Sequence, residues 1–235
     1  MNATLAPAPA YLSVSNHNPI SILLIDDHAI VRVGFKTLLA QQDWCGTITE
    51  ADNGEAGYHC FRELNPDVIV MDLTMPKMSG ITAIQRIKAV SAEARILVVS
   101  VHDETVFVMQ AMKAGAAGYV SKASAPEELV VAVRTVADGK PYISNGMAQR
   151  MVITQFRGES NPFEHLSSRE FEIVSLATSG VDPREIAARL SIHYKTVVNY
   201  LTQTKRKLNV ANATELTKLA IRHGIIDVLP ADQYR

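Results

Sequence analysis

Ile22-Leu23-Leu24-Ile25-Asp26-Asp27 is a short apolar run closed by two carboxylates, and the next residues, Ala29–Ala40, place Ile30, Val31, Phe35, Leu38 and Leu39 at helical spacing. A run this short with no polar alternation fits a strand buried on both faces, as in a parallel sheet between layers of helices. Working outward, the same unit recurs. Thr47–Ala51 precedes a helical stretch over Glu55–Leu64, and Pro66–Met71 precedes a helix opening after Gly80. Ala94–Ser100 is followed by Glu104–Ala114, and Gly118–Val120 by Pro126–Ala137. Five such units predict an α/β doubly wound, five-stranded parallel sheet, in which ligands sit at the carboxyl ends of the strands.

The alternation stops near Asp138-Gly139-Lys140-Pro141. A helix is expected within Ser144–Phe156, and the polar stretch Gly158–Pro162 reads as linker. Beyond Phe163 the periodicity is purely helical. Ser167-x-x-Glu170 is a capping box that opens a helix over Arg169–Ser179, and Asp182-Pro183-x-Glu185 predicts a second. That second helix ends by Leu190, and Ser191-Ile192-His193 turns into a basic helix over Lys195–Leu208. A last helix runs from Thr214 to His223, stopped by Gly224. Two helices joined by a short turn form a helix-turn-helix. The expected organisation is a flexible extension over 1–19, an α/β domain over 20–142, a linker over 143–162 and an all-α domain over 163–235.

Charge divides along the same line. Residues 1–145 carry 11 basic and 15 acidic side chains, whereas residues 146–235 carry 12 and 9. Between Glu185 and Glu215 there is no acid, while Arg189, Lys195, Lys205, Arg206 and Lys207 fall there. An acidic front and a basic back predict two tasks, the second involving nucleic acid. Cys45 and Cys60 are too few for a disulfide framework and lack metal-site spacing. No apolar run approaches the length of a membrane span, and the leader has no secretory pattern, so a cytoplasmic protein is expected.

Asp26 and Asp27 follow the first strand, Asp72 the third and Lys122 the fifth, while Ser100 ends the fourth. A parallel sheet brings these ends to one crevice. Crowded carboxylates repel unless a hard cation lies among them, and Mg²⁺ prefers oxygen ligands. Asp72 is then placed to attack a phosphoryl group whose oxygens Mg²⁺ and Lys122 neutralise, with Ser100 as a donor to the group once bound. A single aspartate after a strand is usually a loop or capping residue, as Asp67 is taken to be, but five such groups at these strand ends are not explained that way. His28 reads as the start of the first helix rather than a ligand, and His102 and Thr74 flank the site.

In the basic helix Val197, Leu201 and Leu208 face inward and leave Lys195, Val198, Asn199, Thr202, Gln203, Lys205 and Arg206 outward or at the edge. Asn reads adenine in the major groove, Val and Thr meet a thymine methyl, and basic residues take phosphates. Val198, Asn199 and Thr202 are therefore the expected base contacts, with Lys195, Lys205 and Arg206 on the backbone.

Leu24-Ile25-Asp26-Asp27-His28, Val70-Met71-Asp72-Leu73-Thr74-Met75-Pro76, Gly80, Ser100 and Gly115-Ala116-Ala117-Gly118-Tyr119-Val120-Ser121-Lys122 resemble the receiver domain of two-component response regulators, over residues 20–140. The resemblance implies phosphorylation of Asp72 by a sensor histidine kinase or phosphotransfer protein. It also implies Mg²⁺ held by Asp27, Asp72 and the Thr74 carbonyl with help from Asp26, and a switch in Ser100 and Tyr119. Leu166–Glu170, Glu185-Ile186-Ala187, Lys195-Thr196-Val197 and Lys207-Leu208 resemble the LuxR-type DNA-binding domain of NarL/FixJ regulators, and Thr196 joins the expected DNA contacts on that ground. Tyr142-Ile143-Ser144, Pro162-Phe163 and Glu215-Leu216-Thr217 are most similar to the GacA/UvrY branch. Two departures bear on the recognition helix. Thr204-Lys205 stands where relatives have two large apolar residues, and His193 replaces a Ser/Thr N-cap.

The resemblance implies a transcription factor that accepts phosphate and is not an enzyme beyond slow self-dephosphorylation. It would act as a homodimer on double-stranded DNA, with no membrane partner. The last helix offers Leu216, Leu219 and Ala220 as a stripe that is either core or a pairing face between monomers. Control by a receiver that covers the recognition helix and control by dimerisation both stay open. A haloacid-dehalogenase-like phosphatase would want Asp-x-Asp after the first strand, which Asp26-Asp27-His28 lacks. A receiver that binds RNA, or only protein partners, is the third reading.

Overall fold

The computed structural model describes residues 18–156 and 161–226. The expected extension over 1–19 lies outside the described residues except for Asn18 and Pro19. The α/β part runs β1 (Ile20–Ile25), α1 (Ala29–Ala40), β2 (Cys45–Ala51), α2 (Gly54–Leu64), β3 (Val68–Met71), α3 (Gly80–Val90), β4 (Ile96–Ser100), α4 (Thr105–Ala114), β5 (Gly118–Ser121), α5 (Pro126–Ala137) and β6 (Tyr142–Ile143). The sheet has six parallel strands in the order β2-β1-β3-β4-β5-β6. The expected count of five is corrected by β6. Its two residues pair with Gly118 and Tyr119 at the edge, and two residues are too few to show a period.

Side chains alternate across the sheet with period two, which sends each strand into two cores. Ile22, Leu24, Val70, Leu97 and Val120 meet Leu39 of α1 and Leu129, Val133 and Val136 of α5. Leu23, Ile25, Ile69, Met71 and Val98 face Phe61, Ile84, Ile87 and Ala111 of α2 to α4. That second core does not end at the receiver. It continues without a break into Phe163, Leu166, Phe171, Val174, Leu216, Ala220 and Ile225.

The helical part begins with α6 (Asn145–Phe156), one residue short of the expected start, and a 3-10 turn over Pro162–His165. It continues as α7 (Ser168–Thr178), α8 (Pro183–Arg189), α9 (Tyr194–Lys207) and α10 (Ala213–Arg222). The Ser167–Glu170 box forms reciprocally. The second box does not. Asp182 accepts from the Arg184 amide at 2.8 Å, and Glu185 turns instead to Arg189 one turn on. Ile173, Ile186, Ala187, Leu190 and Val197 make a small core of their own beneath the turn between α8 and α9. On α10, Leu216 and Ala220 are buried within this chain and Leu219 is half-buried against the same core.

Candidate functional site

The acceptor crevice is assembled by backbone pairing at the strand ends. The Asp72 amide donates to Ile25 O at 2.9 Å, holding the residue after β3 level with the end of β1. The Lys122 amide donates to Ser100 O at 2.7 Å and does the same for β5 and β4. The Gly80 amide returns to Leu73 O at 2.9 Å, and a Cβ on Gly80 would fall 2.0 Å from the Asp72 carbonyl oxygen. Only glycine lets α3 start this close to the acceptor loop.

Asp26 and Asp72 are buried at 4% and 3% exposure, and Asp27 is half-buried beside them. Lys122 Nζ stands 2.7 Å from Asp26 Oδ2 and 2.7 Å from Asp72 Oδ2, bridging the two. The other Asp72 oxygen accepts from the Thr74 amide at 3.3 Å. Burial pushes the Asp72 carboxyl above its ordinary range against the pull of Lys122, with the Asp26 charge adding to the rise. Burial lowers the Lys122 ammonium, but its hydrogen bonds to Asp26 and Asp72 outweigh this and carry it above the ordinary lysine value. Two buried carboxylates share one ammonium, and the crevice therefore carries excess negative charge.

Donor atoms of Asp26, Asp27, His28 and Asp72 lie within 4.8 Å of one another. Asp27 Oδ1 is buried and accepts no well-aligned hydrogen bond, its polar neighbour being His28 Nδ1 at 2.9 Å. An oxygen-rich, under-neutralised cluster of this kind fits a Mg²⁺ ion. His28 is the N-cap of α1, as expected, yet its side chain also reaches the cluster: Nδ1 is 2.9 Å from Asp27 Oδ1 and 3.2 Å from Asp26 Oδ1. Its place directly after two strand-end aspartates was the available signal for this.

Ser100 and Tyr119 lie behind the crevice, both with no exposed surface. Ser100 Oγ accepts from the His102 amide at 3.3 Å, and the Tyr119 hydroxyl donates to the His102 carbonyl at 2.8 Å. Burial pushes the Tyr119 phenol well above its ordinary value, so it remains a neutral donor. Thr74 Oγ1 and His102 Nε2 are 3.1 Å apart across the mouth of the site. All the sequence-predicted acceptor residues thus gather at one end of the sheet.

The second candidate surface is α9. Val197 and Thr204 are buried and Leu201 is half-buried, while Lys195, Asn199, Thr202, Gln203 and Arg206 are exposed. Thr196, Val198 and Lys205 lie half-buried at the edges of that face. His193 caps the helix without a side-chain hydrogen bond, as its residue type implied. The helical part rests on the α/β part through α7 and the 3-10 turn, which pack on α3 and α4.

Residues 22–134 match the family of response regulator receiver domains, and residues 164–220 match the LuxR family of bacterial regulatory proteins. The response regulator UvrY of Escherichia coli K12 is 39% identical over 208 residues, which cover 88% of this chain and 95% of that protein. The response regulator GacA of Pseudomonas aeruginosa is 36% identical over 210 residues, 88% and 98% of the two chains. Among solved structures, RcsB from Salmonella enterica serovar Typhimurium, bound to a promoter in the presence of phosphomimetic BeF3-, superposes with a TM-score of 0.69 at 25% identity, covering 86% of this chain and 98% of that one.

Proposed function

The chain belongs to the response regulators that join a receiver domain to a LuxR-type DNA-binding domain, and from that premise we propose that a phosphoryl group taken up at Asp72 governs how it binds DNA. The observation that carries this reading is the Asp72 carboxylate. It is buried, bridged to Asp26 by Lys122 at 2.7 Å, and bonded to the Thr74 amide on its other oxygen.

An Asp72 carboxylate oxygen attacks the phosphorus of a phosphohistidine on a sensor kinase or phosphotransfer protein. The histidine N–P bond breaks as the acyl phosphate O–P bond forms, and the nitrogen leaves with its electron pair. Asp26, Asp27, Asp72 and the Thr74 carbonyl are the residues we assign to holding Mg²⁺, which when bound supplies positive charge to the phosphoryl oxygens. Lys122 exchanges part of its interaction with Asp72 for one with a phosphoryl oxygen. The Ser100 hydroxyl donates to another, and the turn of Ser100 disturbs the Tyr119–His102 bond. Asp72 is modified and must be restored, so the protein is a regulator that accepts phosphate rather than a turnover catalyst.

For the output, Asn199, Thr202 and Val198 are assigned to base edges, and Lys195, Thr196, Lys205 and Arg206 to phosphates and the groove rim. One recognition helix reads few base pairs, so specificity calls for two copies on two half-sites. RcsB dimers bound to DNA support this by analogy. No described helix is long and apolar enough to cross a membrane, and we place the protein in the cytoplasm with its kinase and its DNA.

With acetyl phosphate and Mg²⁺, wild-type protein is expected to gain one phosphoryl group by mass and Asp72→Asn none. Gel shifts with duplex DNA and with RNA, each with and without acetyl phosphate, check the output. Phosphate uptake by Asp72→Asn at the wild-type level overturns the site, and a preference for RNA overturns the output.

A further inference from the structure

The recognition helix carries one large side chain that neither the core nor the assigned DNA contacts use. Tyr194 is the first residue of α9 and is 51% exposed. Tyr200, further along the same helix, packs against the small core beneath the α8–α9 turn, so the exposure of Tyr194 follows from its position and not from its residue type. A ring left in water forgoes the burial that aromatic side chains usually contribute. Yet it is held. The Arg184 guanidinium lies over the Tyr194 ring, 5.9 Å from its centroid and within the range of a cation–π contact. Arg184 is itself exposed, so the pair stands at the surface, joining the first turn of α8 to the first turn of α9.

Along α9 the ring heads a ridge. Residues four apart on a helix lie one above the other, and Tyr194, Val198 and Thr202 follow at that spacing. Thr202 Oγ1 donates to the Val198 carbonyl at 2.8 Å, which commits the hydroxyl to the helix and leaves the methyl group as the surface it offers. The ridge thus presents a ring, an isopropyl group and a methyl group. Beside it runs a polar row of exposed Lys195, Asn199 and Arg206.

The apolar feature that base edges offer in the major groove is the thymine C5 methyl group, and recognition helices meet base edges with their N-terminal residues. Tyr194 stands at that end. From Tyr194 to Thr202 the helix rises about 12 Å, against about 3.4 Å between successive base pairs. The three side chains therefore meet different base pairs, and Tyr194 lengthens the sequence that one helix reads.

We infer that Tyr194 is a specificity-determining residue whose ring packs on a thymine methyl group at one end of each half-site, with Arg184 as the positioning residue that holds the ring there. The inference rests on the DNA-binding reading of α9 and deepens it: the helix selects thymine at a position that Val198 and Thr202 do not reach.

The full chain, treated with acetyl phosphate and Mg²⁺, is used to select duplexes from a random pool. The recovered half-site is then remade with each thymine replaced in turn by deoxyuridine, which removes the methyl group and keeps every hydrogen-bonding atom. At a thymine at one end of the half-site, wild-type binding is expected to weaken about fourfold, the scale of one buried methyl group. Tyr194→Ala should bind the thymine duplex about fourfold less tightly and be indifferent to deoxyuridine at that position alone. The thymines met by Val198 and Thr202 should keep their effect in this variant, which shows that it is folded. Tyr194→Phe should keep the wild-type pattern, because the ring makes the contact. Arg184→Ala should lessen the preference at the same position and at no other, which a general loss of fold or charge would not do. Uniform weakening by Tyr194→Ala with every thymine preference unchanged would place the ring on the sugar-phosphate backbone and overturn the inference. So would a half-site at which no deoxyuridine matters to the wild type. Recovery of no duplex, or of duplexes whose affinity Asn199→Ala leaves unchanged, overturns the reading of α9 as well.

Discussion

Thr204 has no exposed surface, and its Oγ1 makes no hydrogen bond. The sequence marked this position as a departure, a small polar residue where relatives place a large apolar one, but only packing shows that it points inward while Lys205 sits at the edge. A buried hydroxyl without a partner forfeits its hydration and receives nothing in return. Thr204→Val keeps the branched shape and removes the orphan. It is expected to stabilise the protein by about 1 kcal/mol, read as a higher urea midpoint at unchanged slope. Because the side chain faces the core, affinity for DNA should not change. A lower midpoint would mean that the hydroxyl is bonded after all. His28 shows the opposite limit of legibility. Its backbone role as a helix start follows from its place in the sequence, whereas the approach of its ring to two carboxylates depends on a rotamer that no pattern encodes.

At the scale of elements, the bounds of α1 and α5 were legible to the residue, because each begins after a turn and carries apolar residues at helical spacing, although Ile30 at the head of the α1 stripe is 84% exposed and only Leu39 of that helix is buried. β6 was not, and neither were the contacts that α7 and the 3-10 turn make with α3 and α4. No pattern in the sequence singles out Glu172 or Gln110, yet Glu172 is 6% exposed and Gln110 fully buried, with its amide donating to the Phe163 and Leu166 carbonyls at 3.1 and 3.2 Å. A partner surface from another domain leaves no periodicity. The start of α7, by contrast, was written in its capping box, and the box carries a pH dependence. Burial pushes the Glu170 carboxyl up, but the Lys207 ammonium and the Ser167 amide and hydroxyl outweigh it and hold it below the ordinary value. A lowered folded value stabilises the protein at pH above the unfolded one, and that stabilisation is lost as pH falls through the folded value. Glu170→Gln should therefore cost about 1 kcal/mol at neutral pH, the scale of a lost cap. The difference from wild type should shrink as pH falls below the ordinary glutamate value of 4.5. A gap that stays constant down to pH 3 would place the effect in packing rather than charge.

At the scale of the whole molecule, the arrangement of the two domains bears on the modes of control that the sequence left open. The receiver does not cover the recognition helix here. It holds α7 and the 3-10 turn, while Asn199, Thr202, Gln203 and Arg206 remain in solvent. A covered helix would need to be released before it touched DNA, and phosphorylation would then raise affinity for any site. An exposed helix meets a half-site whether or not Asp72 is phosphorylated. What the docked arrangement fixes instead is where the helical domain sits on the receiver, and hence whether two copies present their helices at the spacing of one DNA turn, about 34–36 Å. The two modes separate on duplexes of different design. On a duplex with a single half-site, acetyl phosphate is expected to change affinity by less than about twofold, since one helix and its phosphate contacts are available in both states. On a duplex with two half-sites one turn apart, the second contact becomes intramolecular once the first is made, and affinity should rise by roughly a hundredfold. An equal rise on both duplexes would mean that the receiver shields the recognition helix in solution. No rise on either would mean that the phosphoryl signal leaves the molecule by another surface.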